Sequence, residues 1–379
     1  MPCKVLAIRV SVLLRILHVF ALQQPDLIPS RRGALYRMAT TTVGLVSASA
    51  LIPAIPGYAD PGFAEERGRS IVVPGGVAPY RPQGIGSWKD IPSLTTKLGN
   101  SRILASELSP LQQAFLGEKE LYYPQFLFGA WNVTAELKRK IYPYGVDYLP
   151  SKSLLEGSPR NREELVGNVC NYEVHYFPTL ANTLANQAVV NLGTGVPDSK
   201  IIQDRAYNAK SISKAYDQLV PVQDVTWDYR NNPEKVVLDF GAAPLAADMR
   251  PLGSRRAEIF LNARATEVGP DDRHYATAER SRSVTVAVRD VVVADTETIT
   301  EFEKVSDDQV RAVSRIAVYL SPNPNSREGV LWQQTGGKAV AFFDYDLNMN
   351  RIKEDITLSD GSIESHACVT TPKDVVQCA

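Results

Sequence analysis

From residue 121 onwards, the chain alternates apolar and polar residues over one segment after another. A period of two is typical of strands that bury one face. The clearest segments are WNVTAEL, NYEVHYF, VTWDYRNNPEKVVLDF, AEIFLNARATEV, SVTVAVRDVVV, ETITEFEKV, QVRAVSRIAVYL and AVAFFDYDLNMNR. The pattern therefore predicts eight or more strands.

Short polar turns connect most of these segments, with hairpin turns expected at residues 231–233 and 306–308. Short connections favour an antiparallel meander, and closing a long meander into a barrel removes its exposed edges. We therefore predict an all-β fold, an antiparallel up-and-down barrel of about eight or more strands with a few short helices. Residues 197–219 fit either a helix that begins at Asp198 and Ser199 or an irregular strand.

The alternation also assigns side chains to common faces of their strands. The four apolar sets are Trp131, Val133, Ala135 and Leu137; Tyr172, Val174 and Tyr176; Ile259, Leu261, Ala263 and Ala265; and Phe343, Tyr345, Leu347 and Met349. These sets are candidates for the barrel interior, but the alternation leaves open which face of each strand points inward.

Two apolar stretches precede the strand region. The first, at residues 5–22, contains internal arginines that disfavour a permanent membrane span. Because it follows Lys4, it fits a secretory signal that ends near Ala21. The second follows Arg31 and Arg32, carries no charge over residues 38–58, and ends with GYA before Asp60, as in a twin-arginine signal with its cleavage site. A single membrane anchor at residues 40–59 is the alternative.

This tandem resembles the bipartite presequence of thylakoid lumen proteins, with the additional leader found in algae that have complex plastids. The resemblance implies a chloroplast transit peptide, a thylakoid lumen location and a soluble mature chain that starts at Asp60. We divide the chain into a presequence (1–59), a Pro- and Gly-rich arm with a short helix over 102–119 (60–120), the barrel (121–355) and a tail (356–379).

Charge is unevenly distributed between these regions. Residues 1–59 carry six basic residues against Asp26 alone, so the formal charge of −1 for the chain leaves −6 for the body. Because nucleic-acid binding needs a basic surface, we expect no nucleic-acid partner.

The mature chain keeps three cysteines, Cys170, Cys368 and Cys378. In an oxidising lumen, Cys170 is expected to pair with Cys368 or Cys378, and a local loop between the last two is the competing pairing. Their spacing with His366 fits no zinc site, so no metal is expected.

A Gly-x-Trp signature, Gly129 and Trp131, opens the strand region. It resembles the first strand of lipocalins and other calycins, in which the tryptophan plugs the closed end of the barrel and a late basic residue packs across it. Arg351 follows the last strand on the same face as Met349. The resemblance implies a stacked pair of Arg351 and Trp131.

A closer resemblance covers most of the body. The segments YPQFLFGAWNVTAEL, IIQDRAYNAKSISKAY and AVAFFDYDLNMNR look like an uncharacterised cyanobacterial and plastid family with a domain of unknown function. Its pattern runs Tyr-Pro-x-x-Phe-x-Gly-x-Trp, then Asp-Arg-x-x-Asn, then a closing Tyr-x-Leu strand. The resemblance implies no activity.

The candidate ligand contacts are Asp204, Arg205, Asn208 and Tyr345. On a helix, Asp204 and Asn208 share a face, and the guanidinium of Arg205 suits a carboxylate or a carbonyl. The alternative, which we favour, is a structural network of caps and ion pairs.

No residue is assigned a catalytic role. If the tyrosine face of NYEVHYF is interior, His175 is exposed, and His274 is expected in a surface loop; neither has a paired nucleophile. Asp344 and Asp346 share a face and are expected on the solvated side of their strand, or else form a like-charge pair.

The leading hypothesis is a lumenal barrel without catalytic activity that binds a lipid, a pigment or a related hydrophobic or amphipathic molecule. An assembly or scaffolding role at a thylakoid membrane complex is the alternative, and a lumenal enzyme on the same fold is the third class. No cofactor is expected.

Overall fold

The structure is a computed structural model that describes residues 119–151, 153–156, 163–181, 184–193, 197–216, 221–242, 253–269, 271–286, 291–357 and 361–379. The expected presequence lies outside these residues, and so does the arm with its short helix over 102–119 up to residue 118.

The described residues form twelve strands and four α-helices. The strands are β1 (Gly129–Ile141), β2 (Val169–Leu180), β3 (Ser199–Gln203), β4 (Val222–Asp228), β5 (Asn232–Phe240), β6 (Arg255–Val268), β7 (His274–Val286), β8 (Val291–Lys304), β9 (Gln309–Tyr319), β10 (Ala341–Thr357), β11 (Ile363–Thr370) and β12 (Val376–Cys378). The helices are α1 (Ser153–Glu156), α2 (Leu184–Leu192), α3 (Arg205–Tyr216) and α4 (Arg327–Gln334).

Ten strands form one curled antiparallel sheet in the order β3-β2-β1-β10-β9-β8-β7-β6-β5-β4. Neighbours from β4 to β10 are consecutive in the chain, and β1 then pairs with β10. The end of β10 continues past the sheet and pairs with β11, which pairs with β12. The predicted all-β, barrel-like meander is confirmed.

Helix α3 fills the gap between the two ends of the curled sheet. The Ser211 hydroxyl accepts a hydrogen bond from the backbone N–H of Glu173 in β2, at 3.1 Å. Two residues later, the Ser213 hydroxyl accepts from the N–H of Val222 in β4, at 2.8 Å. The segment left ambiguous by the sequence is therefore a short strand followed by a helix, and the helix joins the strands that do not pair with each other.

The predicted faces are correct on three of the four strands. Side chains of β1, β2 and β10 from the predicted sets meet in the interior, where Trp131, Leu137 and Phe343 are fully buried. In β6 the prediction is wrong after Leu261, because a bulge between Leu261 and Ala263 shifts the register against β7. Ala263 and Ala265 consequently pack on the outer face of the sheet, beside Ala278 and Tyr319.

Arg351 stacks on Trp131, as the resemblance to lipocalins implies. The guanidinium carbon of Arg351 lies 4.2 Å from the ring centroid of Trp131, and the indole N–H donates to the carbonyl of Leu127 at 2.9 Å. Arg351 also donates to the carbonyls of Phe126 and Phe128. Gly129 has φ +109°, and a Cβ there would lie 3.2 Å from Nη1 of Arg351, so the glycine permits this stacking.

The tail contains the one disulfide found among the described residues. Cys368 and Cys378 face each other across β11 and β12 and are bonded. Cys170 is a buried free thiol in β2, so the expected bridge from Cys170 to the tail is absent and the local pairing is present. The hairpin of β11 and β12 explains the choice, because it brings the two tail cysteines directly opposite each other.

Asp344, on the outer face of β10, is buried, contrary to our expectation that it is solvated. Asp344 is 1% exposed and forms a bidentate pair with Arg315 of β9, with Nε–Oδ1 and Nη2–Oδ2 distances of 2.6 and 2.8 Å. Arg139, next to the β1 bulge, adds a third hydrogen bond at 2.9 Å. Asp346 lies 3.8 Å from Lys138. Two arginines on neighbouring strands therefore donate the hydrogen bonds that solvent would otherwise donate to Asp344.

Within the described ranges, no helix is both long enough and apolar enough to cross a membrane.

Candidate functional site

A cavity of about 180 Å³ lies inside the curled sheet. Strands β1, β2, β5 and β10 contribute apolar walls, and β7, β8 and β9 contribute hydroxyl groups. Helix α3 forms the remaining side with Arg205, Asn208, Ala209, Ile212 and Tyr216. Because this helix lies between the two ends of the sheet, its residues also form part of the cavity wall.

Arg205 is the charged centre of the cavity wall and is 5% exposed. Its Nη1 and Nη2 donate to Glu279 of β7 at 2.9 and 2.7 Å. Nη2 and Nε donate to Glu120 at 2.5 and 3.3 Å. We call Glu120, Arg205 and Glu279 the buried triad. The guanidinium that the sequence suggested for a ligand is therefore already paired with two carboxylates.

Burial and charge act in opposite directions within the buried triad. Burial raises the pKa of Glu120, and the nearby Arg205 offsets part of that rise. Burial alone lowers the pKa of Arg205, but Glu120 and Glu279 raise it well above its usual value. Fully ionised, the triad has one negative charge in excess, so protonation of one carboxyl group neutralises it.

Asp204 and Asn208 shape the start of α3. Asp204 caps the helix, since its carboxylate accepts from the N–H of Tyr207 at 2.9 Å. The side-chain amide of Asn208 accepts from the N–H of His175 at 2.7 Å and donates to its carbonyl at 3.3 Å. Asn208 thus makes with the backbone of His175 the two hydrogen bonds that a neighbouring strand would make with β2. Of these two residues, Asn208 lines the cavity, and Asp204 does not appear among its described walls.

Tyrosines form much of the remaining polar surface of the cavity. Tyr345 lines it and donates its hydroxyl to Glu164 at 3.0 Å. Tyr123, Tyr172 and Tyr176 also line it. Within the part of the chain that the structure describes, these last three hydroxyls make no hydrogen bond to protein. Burial raises the pKa of all three, so they stay protonated and serve as donors.

His175 lies outside the cavity, as its strand face predicts, but it is buried and not exposed. Its ring stacks on Tyr207 of α3 with centroids 3.6 Å apart, and Nε2 lies 2.7 Å from Glu173. Helix α3 covers this side of β2, which the sequence did not indicate. His274 begins β7 and contacts Asp271 at 2.8 Å. Among the described residues, no group of three or more His, Cys, Asp or Glu side chains has the arrangement of a metal site.

Sequence reasoning missed Glu120 and Glu279. Glu279 carried a usable signal, because it stands in the same alternating set as the inward-facing Tyr275 and Thr277 of β7. Glu120 carried none, because it precedes the first 3₁₀ turn and reaches Arg205 across 85 positions of sequence.

A family model described as a domain of unknown function, DUF6816, matches residues 116–353. The chain belongs to the DUF6816 family. The match includes the curled sheet except for the last four residues of β10, together with the buried triad and the pair of Trp131 and Arg351. No curated protein and no solved structure matches the chain.

Proposed function

We propose that this DUF6816 domain is a binding protein that encloses a small hydrophobic or amphipathic molecule. The observation that carries the proposal is the cavity inside the curled sheet, whose apolar walls include Val133, Val236, Leu238 and Met349. Ligand sites in proteins are mostly apolar hollows with a few placed polar groups. The hydroxyls of the cavity tyrosines are such groups.

The same proposal places the mature protein in a thylakoid lumen of a plastid. The support is the tandem of a signal-type leader and the Arg31-Arg32 segment that ends before Asp60. The geometry of Gly129, Trp131 and Arg351 further supports a lipocalin-like barrel. The barrels of lipocalins enclose single small ligands.

Mass spectrometry of the protein isolated from the cells that make it tests the proposal. Ala209 lines the cavity, and leucine at this position adds three carbon atoms to its space. Ala206, on the same helix, does not line the cavity within the described residues, so Ala206→Leu is the matched control. We expect wild type and Ala206→Leu to carry about one small molecule per chain, and Ala209→Leu to carry far less.

Equal loading of both variants would contradict the proposal, as would a wild-type protein without any stoichiometric small molecule. An empty wild-type protein that co-purifies with subunits of a membrane complex would favour the assembly role instead.

A further inference from the structure

The size of the cavity limits what it encloses. A protein cavity of roughly 150 Å³ holds benzene or xenon. At about 180 Å³, the cavity of this chain has space for one substituted six-membered ring, or a chain fragment of the same size. A long acyl chain or an extended pigment exceeds this volume.

The charge of the buried triad limits the ligand further. Four of the five guanidinium N–H directions of Arg205 are engaged by Glu120 and Glu279. Ionised, these two carboxylates outnumber the single cation that they surround. A ligand carboxylate would add a second negative charge to a buried site, where Arg205, the one cation among the described wall residues, is already paired.

The three cavity tyrosines provide hydrogen-bond donors that are available to a ligand, which the buried triad does not. Buried tyrosine hydroxyls usually have a hydrogen-bond partner. Among the described residues, the hydroxyls of Tyr123, Tyr172 and Tyr176 have none, and all three side chains line the cavity. Tyr123 and Tyr176 are neighbours, with ring centroids 5.0 Å apart. An oxygen atom of a ligand that accepts a hydrogen bond satisfies one or more of these donors.

We propose that the cavity selects a neutral, ring-sized molecule with a hydrogen-bond-accepting oxygen, such as a ketone, and rejects the same ring bearing a carboxylate. This inference rests on the proposed function, and it names the ligand class of the same site. The hydroxyls of Tyr123, Tyr172 and Tyr176 are donors that no carboxylate of the described residues engages, in contrast to the guanidinium of Arg205.

Calorimetric titration of the full chain at pH 7.5 with acetophenone, toluene and benzoate tests the selection. These probes share one ring and differ in a carbonyl, a methyl and a carboxylate. We expect acetophenone to bind about tenfold more tightly than toluene, which is the discrimination one hydrogen bond provides. Benzoate should bind at least about a hundredfold more weakly than acetophenone, because it introduces an uncompensated buried charge.

Single tyrosine variants assign the donor. We expect at least one of Tyr123→Phe, Tyr172→Phe and Tyr176→Phe to weaken acetophenone binding by about three- to tenfold while toluene binding stays unchanged. Tyr148→Phe is the control, because its hydroxyl donates to Gln334 on the exposed surface. Thermal unfolding of each variant checks that it is folded.

The outcomes separate the inference from the proposed function. If acetophenone binds no more tightly than toluene, or if benzoate binds as well as acetophenone, the selection is wrong and ring binding stands. If none of the three probes binds, both the inference and the proposed function are overturned.

Discussion

Replacing Trp131 with alanine should lower the free energy of unfolding by about 3–5 kcal/mol, which is the cost of removing a large aromatic side chain from a core. Trp131 is fully buried, stacks under Arg351 and donates to the Leu127 carbonyl. Urea denaturation measures the loss. Trp227→Ala is the control and should cost less, since Trp227 is only partly buried at the edge of the core.

A double-mutant cycle with Arg351→Met shows whether the two residues act as a pair. Methionine keeps the apolar stem but removes the cation and its hydrogen bonds to backbone carbonyls. We expect the double variant to lose about 0.5–2 kcal/mol less than the sum of the single variants, as coupled neighbours do. Additive losses would show that Arg351 and Trp131 do not stabilise the fold as a pair.

Replacing Arg205 with methionine should destabilise the protein by about 3–5 kcal/mol at pH 7, because it leaves Glu120 and Glu279 buried without their cation. Adding Glu120→Gln and Glu279→Gln to the Arg205→Met variant removes both charges. The triple variant should therefore be more stable at pH 7 than Arg205→Met alone. Equal stability would show that the buried triad is not electrostatically coupled.

The loss in Arg205→Met should depend on pH. Burial already raises the pKa of Glu120, and removing Arg205 raises it further above the unfolded value of about 4.3, because the cation that offsets part of the rise is lost. A group with a raised pKa contributes its full stability below the unfolded pKa and loses it as the pH rises through the folded pKa. The gap from wild type should thus be smallest near pH 4 and widen towards pH 7. A gap that stays constant over this range would contradict the assignment.

Local alternation was sufficient to predict most strands and most shared faces, but not β11 and β12, which lie in the segment predicted as a tail. Trp131 and Phe343 could be assigned to the same faces as their strand neighbours because each stands in an unbroken period of two. The prediction failed at Ala263, where one extra residue inverts the period, since a bulge is set by pairing with β7 and leaves no mark in β6 itself.

Contacts between distant segments account for the other differences. Asp344 looks solvated from its own strand, and the cations that bury it come from Arg139 and Arg315. Arg205 looks available for an anion until the fold brings Glu120 and Glu279 against it. His175 looks exposed until α3 places Tyr207 on its ring. Such partners follow from the closure of the sheet, which the local pattern does not contain.

A crystal of the protein under xenon pressure shows whether the cavity is open to a ligand, because xenon enters apolar cavities of this size. We expect a xenon atom within the space bounded by Val236, Leu238 and Leu347, and no such atom in Ala209→Leu. Side chains that fill this space, with no xenon between them, would contradict a cavity that encloses a small molecule.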